Sequence, residues 1–344
     1  MFIKNDALSL VRLKLDAIIR YANVRTSNKG MNITMNVFQN HIKRFYILII
    51  ALILSAVLLS GCVEEQELVE EPSSQDELRI GLILWDTPVE VTKQFTGVEE
   101  YLGSELGMDV VTIKSTDYYA IIDAMEAGNL DIAFFGPFSA VISAERSGSE
   151  VIIAGGDTDG NLETYNSYII ANRKSGITNI GYLVNNSLNI SFAFVNPAST
   201  SGNLIPRGYL LSQGINPDED FKNTLFSGGH DNTIDAVLSG NVIDAGAVAS
   251  MTYRNYFEDD NNSENNIVIL WESDPIPTDP ISVRGDMDPV LKEKIKEAFL
   301  EMHEKSPETF ENFMDVREGH ALYVEANNSD YAFIREMALS LGYI

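Results

Sequence analysis

Hydroxyl groups crowd one short stretch of this sequence. In NPASTSGNLIPR, Asn196 to Arg207, three of them (Ser199, Thr200 and Ser201) lie between an apolar run and a helix-like segment. Hydroxyl donors, a glycine (Gly202) that permits close backbone approach and the N–H groups of a helix start make a place to hold a tetrahedral oxyanion. The same residues also serve as ordinary helix caps, and residue types alone leave both readings open. His230, in the glycine-flanked turn SGGHDN, can donate to an anion from a ring nitrogen. Asp279, in PIPTDP, can accept a proton from a ligand hydroxyl or pair with an amine, and it opposes a bare dianion. Trp85, Tyr118 and Tyr165 stand beside predicted loops, where each fits core or surface as well as a ligand contact.

Other chemistry is poorly supplied. The 4 histidines, His41, His230, His303 and His320, show no metal-ligand spacing, so neither a metal nor a cofactor is expected. Ser201, His230 and Asp244 are the residue types of a hydrolase triad, but no GxSxG elbow presents a nucleophile, and no catalytic residue is assigned. The single cysteine, Cys62, excludes an intramolecular disulfide, a CxxC pair and a cysteine zinc cage. It follows Leu59, Ser60 and Gly61 at the end of an uncharged apolar run, Tyr46 to Ser60, preceded by Lys43 and Arg44. This arrangement resembles a lipoprotein signal whose cysteine carries the lipid; the other reading is an uncleaved anchor helix. Basic residues before the run and acidic residues from Glu64 to Glu77 after it put the body outside the cytoplasmic membrane. Met31 and Met35 lie closer to the run than Met1, so residues 1–30 are left out of the fold.

The elements that must position these residues read as α/β. At a prior of roughly 150 residues per domain, 344 residues suggest about two, and 45% hydrophobic content supports a true core. With 24 Lys plus Arg against 50 Asp plus Glu, the net charge of −26 argues against nucleic acid as a partner. Residues 1–61 hold 8 basic and 2 acidic residues, leaving 16 and 48 in the body, a net −32 that suits a salty medium. Residues 62–77, acidic and with Pro72, Ser73 and Ser74, read as a flexible tether. Strands are predicted at 78–84, 109–113, 131–135, 167–171, 190–195, 245–248, 267–271 and 281–284. Helices are predicted at 89–106, 118–127, 203–213, 233–238, 289–305, 308–314 and 331–341, several stopped by glycine. The strand and helix alternation predicts a mostly parallel sheet in each of two similar lobes, with ligands at the carboxyl ends of strands.

Four segments then carry a resemblance: SYIIANRKSGI, FVNPASTSGNLIPRGYLLSQGI, FSGGHDNTIDAVLSGNVIDAGAV and PIPTDPISVR. In order and spacing, from about Leu78 to the last helices, the chain resembles the phosphate, phosphite and phosphonate substrate-binding proteins of ABC transporters. The resemblance implies a two-lobed periplasmic-binding-protein fold of type II, a Venus flytrap with a hinge. Lobe 1 would be 78–169 and 280–344, and lobe 2 would be 170–279. It implies that Ser199, Thr200 and Ser201 hold the oxyanion with His230, joined by Tyr118 of DYYAII, Tyr165 of YNS and Asp279; Trp85 is added from its place after the first strand. Members that bind aminoalkylphosphonates resemble one another in a glutamate after the DAGA-like strand, where this chain has Ser250 or Met251. Implied partners are a small phosphorus oxyanion, a permease with its ATPase, and the membrane through a lipid on Cys62. A receptor that signals to a sensor, or an enzyme on the same fold, are the alternatives.

Overall fold

In a computed structural model, residues 77–84, 88–258, 264–317 and 321–344 are described. The leader 1–61, Cys62, the tether to Asp76 and Trp85 lie outside the described residues. In chain order the elements are β1 (Glu77–Ile83), α1 (Pro88–Leu106), β2 (Asp109–Ser115), α2 (Tyr118–Glu126), β3 (Ile132–Phe134), α3 (Pro137–Ser147), β4 (Glu150–Gly156), β5 (Thr164–Tyr165) and β6 (Ser167–Asn172). There follow α4 (Ile180–Asn186), β7 (Ser191–Phe194), a π-helical turn (Thr200–Leu204), α5 (Ile205–Ser212), β8 (Asn223–Phe226), α6 (His230–Ser239), β9 (Ala245–Ala249) and α7 (Ser250–Phe257). The last are β10 (Ile267–Glu272), β11 (Ile276–Pro277), β12 (Pro280–Val283), α8 (Pro289–Leu300), α9 (Met302–Lys305), α10 (Pro307–Arg317), β13 (Leu322–Glu325) and α11 (Ala332–Ser340).

Two sheets form two lobes. The first has the order β13-β4-β12-β3-β1-β2 and the second β10-β6-β9-β7-β8. Parallel pairing is confined to β1 with β2 and β3, and to β7 with β8 and β9. The expectation of mostly parallel sheets is therefore corrected: β12 runs antiparallel to both β3 and β4, β13 to β4, β6 to β9 and β10 to β6. Apolar runs announce buried strands but carry no direction; β6, β10 and β12 enter or leave a sheet next to where the chain passes between lobes, and β13 joins the first sheet after α10. The passage is the two-stranded ribbon of β5 and β11, pairing Tyr165 with Ile276 and Thr164 with Pro277. β6 already pairs with β9 at Ser167, so the second sheet takes in residues 167–169, which the expected boundary at 170 assigned to lobe 1.

Local sequence explains the elements that face the site. In α2, Tyr118, Ile121, Ile122 and Met125 are buried at helical spacing, and Asp117 caps the start by accepting from Tyr119 N–H. In α6, His230, Thr233, Ile234 and Val237 form the buried stripe, so His230 is carried on the core face of its helix. The αL glycines Gly148 and Gly240 end α3 and α6. Several elements lacked a sequence signal. Gly136 and Pro137 read as the close of a strand, whereas Pro137 is the first residue of α3. β8 is exposed along its length at the sheet edge and shows no buried run.

The first sheet is clamped by edge-to-face phenylalanines, with Phe134 at 5.1 Å from Phe95, 5.7 Å from Phe313 and 5.9 Å from Phe299. Apolar residues pack on both faces of the second sheet. A further cluster spans the lobes, bringing Phe138 and Tyr165 together with Ala198, Leu204 and Ala249 behind the loops that carry the candidate residues.

Candidate functional site

The loop after β7 is folded against its own strand. Gly202 C=O accepts from Val195 N–H at 2.9 Å, and Ser199 Oγ accepts from Gly202 N–H at 3.1 Å. The chain then winds as a π turn, with Leu204 N–H donating to Ser199 C=O at 3.0 Å, before continuing into α5. Sequence reasoning started this helix at Asn203; it begins at Thr200. Only glycine fits at 202, because a Cβ there would lie 2.4 Å from Val195 Cβ and 2.9 Å from Ser199 Oγ. Ser201 is fixed from behind, its C=O accepting from Ser167 Oγ at 2.6 Å.

Five helix starts meet around one cavity. Its lining includes Tyr118 at the start of α2, Gly136 before α3, Ser199 before the π turn, His230 at the start of α6 and Ala249 before α7. Thr200, Ser201, Met251, Thr252, Tyr165 and Asp279 complete it. The N-cap residues of α3, α6 and α7 make no side-chain cap hydrogen bond of their own, and at α3 a first-turn N–H is met instead by a hydroxyl of the other lobe. The space is small, about 30 Å³ for the centre of a water-sized sphere. Among the described residues no Lys or Arg lines it, and Asp279 is the one charged side chain in the lining. Gly136 leaves the α3 start open: a Cβ there would stand 3.6 Å from Thr200 Oγ1 and 3.8 Å from Asp279 Oδ1.

Protonation is set by burial. His230 Nδ1 accepts from Ala249 N–H at 3.0 Å, so the neutral ring carries its proton on Nε2 and is a donor on that side. Burial pushes its pKa down to about 4, keeping it neutral at physiological pH. Tyr165 is raised well above the ordinary phenol, first by burial and then by the negative charge of Asp279, against hydrogen bonds with Ser201 and Thr200 that act the other way. It remains a neutral phenol. The two lobes touch across the cavity, where Phe138 N–H in α3 donates to Thr200 Oγ1 at 2.8 Å.

Ser199, Thr200, Ser201, His230, Tyr118, Tyr165 and Asp279 are thus brought together, and Trp85 lies outside the described residues. Of the alternatives at the amine position, Met251 lines the cavity, while Ser250 is spent on the hinge, its Oγ accepting from Asn166 N–H at 3.0 Å. Sequence reading missed Gly136, Ala249 and Thr252 as lining residues. Glycine followed by proline at the end of a buried strand was the available signal for the first; Ala249 stands there as the residue before a helix, which no residue type advertises, and Thr252 follows one turn on. Ser201 and His230 share the cavity, whereas Asp244 accepts from Ser191 N–H at 2.8 Å and does not line it, so no triad is assembled.

Such an arrangement gives a tetrahedral oxyanion many neutral donors and one carboxylate acceptor. Relatives agree. The chain is 28% identical over 299 residues to the phosphonates-binding periplasmic protein of Escherichia coli (strain K12), covering 83% of this chain and 80% of that one. It is 24% identical over 279 residues to the probable ABC transporter phosphite binding protein PhnD1 of Prochlorococcus marinus (strain MIT 9301), covering 79% and 92%. The solved structure of PhnD1 from Prochlorococcus marinus (MIT 9301), in complex with methylphosphonate, shares the fold with a TM-score of 0.69 and 24% identity over 78% of this chain and 99% of that one. Residues 80–331 match the family described as "ABC transporter, phosphonate, periplasmic substrate-binding protein". The chain therefore belongs to the periplasmic substrate-binding proteins of phosphonate ABC transporters, two-lobed extracytoplasmic binding proteins and not enzymes.

Proposed function

We propose that this protein captures a small, amine-free phosphorus oxyanion between its lobes and delivers it to an ABC permease and ATPase. Phosphite and methylphosphonate are the favoured ligands, other small phosphonates and phosphate the next. The observation that carries this reading is the meeting of five helix starts on a small cavity whose described lining holds hydroxyls, a neutral histidine and one carboxylate but no cationic side chain. Helix dipoles and neutral donors supply the positive end. Asp279 accepts the proton of a P–OH group, which suits a monoprotonated anion. An ammonium group would need a second carboxylate, and Met251 stands in the lining instead.

In this reading Ser199, Thr200, Ser201 and His230 of lobe 2 hold the anion, Tyr118 and Asp279 of lobe 1 complete it, and Tyr165 sits at the hinge. Lobe 1 is carried by 77–165 and 278–344 and lobe 2 by 167–277, with β5 and β11 as the hinge. Closure on the ligand excludes water and presents a distinct surface to the permease. The protein works at the outer face of the cytoplasmic membrane, anchored by a lipid on Cys62. Titrating the full-length chain calorimetrically with phosphite, methylphosphonate, phosphate and 2-aminoethylphosphonate tests the ligand class. Tight binding of phosphite or methylphosphonate is expected, and tight binding of the aminophosphonate alone refutes it. For the anchor, Cys62→Ser is expected to release the protein from membranes; unchanged retention refutes lipidation there.

A further inference from the structure

The lobes are tied together a second time, away from the cavity. Tyr343 lies beyond α11, on the first lobe. Its ring meets Phe138 of α3 edge-on with centroids 5.4 Å apart, and its hydroxyl accepts from Asn203 Nδ2 of the second lobe at 3.3 Å. Both partners stand next to the site. Phe138 carries the N–H that donates to Thr200, and Asn203 belongs to the π turn that holds Thr200 and Ser201. Asn203 is fully buried and held in place: Nδ2 also donates to Pro197 C=O at 2.8 Å, and Oδ1 accepts from Arg207 Nε at 3.2 Å. One turn farther along, Met337 of α11 faces Gly208 of α5, where an added Cβ would stand 3.1 Å from Met337 Sδ and 3.6 Å from Leu341 Cδ1.

Taking the cavity to be the ligand site proposed above, we propose that Tyr343 is a positioning residue for capture. It ties the anion-binding turn of the second lobe to the first and so favours the closed form. The contact between Tyr343 and Asn203 crosses the lobes and exists only when they meet. Apparent affinity is the intrinsic affinity scaled by the fraction of molecules that are competent to bind, so a contact made only on closure raises affinity without touching the ligand. Its loss acts mainly on the rate of release.

Two variants of the full chain test this. Tyr343→Phe keeps the ring against Phe138 and removes only the interlobe hydroxyl. Gly208→Leu drives a side chain against Met337 and Leu341, so that the lobes must part to admit it, while replacing a helical glycine, which by itself favours α5. Methylphosphonate and phosphite affinities by calorimetry, release rates by stopped flow and melting of the ligand-free protein are the readouts. The expected results are affinity weakened about threefold to tenfold by Tyr343→Phe and about tenfold or more by Gly208→Leu, through faster release and with ligand-free melting not lowered. Parent-like affinity and release in both variants overturn the proposal, as does an affinity loss matched by a fall in ligand-free melting. If the parent chain binds neither anion, the reading of the cavity fails and takes this proposal with it; if the parent binds and the variants match it, only this proposal fails.

Discussion

The two walls of the cavity are built differently. The wall from the second lobe presents three helix starts: the Ser199–Ser201 turn leading into α5, His230 on α6, and Ala249 to Thr252 leading into α7. Its parts are locked to one another by Gly202 against Val195, by Ser167 Oγ on Ser201 C=O and by Ala249 N–H on His230 Nδ1. The first-lobe side brings Tyr118, the Gly136 start of α3 and Asp279, and it meets the other wall through Phe138 N–H and Thr200 Oγ1. Donors dominate one wall, and among the described lining residues the one carboxylate stands on the other. The difference suggests a division of labour in which the second lobe grips the oxyanion and the first lobe tests its proton and completes the enclosure.

Breaking the gripping wall should have the largest effect. Gly202→Ala forces a Cβ into Val195 and should abolish measurable binding, with overpacking costing about 1–3 kcal/mol of stability. Calorimetry and denaturant melts check both, and near-parent affinity would show that the turn is not the grip. Next, His230→Ala removes the Nε2–H donor and leaves Ala249 N–H buried without its acceptor. A hydrogen bond to a charged group contributes about 1.5–3 kcal/mol, so the dissociation constant should rise roughly 10- to 150-fold. On the opposite wall, Tyr118→Phe keeps the ring and loses one hydrogen bond to the same anion, so the dissociation constant should rise only about tenfold, the low end of that range. An effect equal to that of His230→Ala would erase the asymmetry. Asp279→Asn sharpens the comparison through pH: parent affinity for methylphosphonate should fall as the ligand's P–OH deprotonates, the variant's profile should be flatter, and an unchanged profile would deny Asp279 its role as proton acceptor.

The smallest effect is on stability. His230 has its pKa lowered by burial to about 4 in the folded protein, against an ordinary value of 6.5. Between those pH values the unfolded chain takes up a proton that the native ring refuses, so this group's contribution to stability is full above about 6.5 and is lost as pH falls toward 4. Melting temperature should drop by a few degrees across that window from this group, and the drop should shrink in a His230→Gln variant. A variant with the same acid limb as the parent would assign it to other groups.

What the sequence revealed follows the same asymmetry. The gripping wall is written in residue types: clustered hydroxyls before a helix, and a histidine in a glycine-flanked turn. These types restrict the chemistry to helix caps or an anion site, the resemblance singled out Ser199, Thr200, Ser201 and His230, and all four line one cavity. The completing wall is written in backbone position. Gly136 contributes as a helix start, as Ala249 does on the gripping wall, and Pro137 looks in sequence like an ending although it opens α3. Strand direction was equally invisible, because β12 is buried throughout whichever way it runs, and only its return through the β5 and β11 ribbon makes it antiparallel. The exposed edge strand β8 shows the converse, since an element with no buried face leaves no pattern to read.

The central claim is that neutral donors and helix starts, without a cationic side chain, hold the anion inside a chain of net charge −26. The salt dependence of methylphosphonate binding, measured by calorimetry from about 0.05 M to about 1 M salt, tests it directly, because the Debye length falls to roughly 3 Å at the upper limit. The account predicts an affinity that stays within about threefold or strengthens slightly as the protein's own negative field is screened. A loss of about tenfold or more would contradict it and point to a lysine or arginine in direct contact with the ligand.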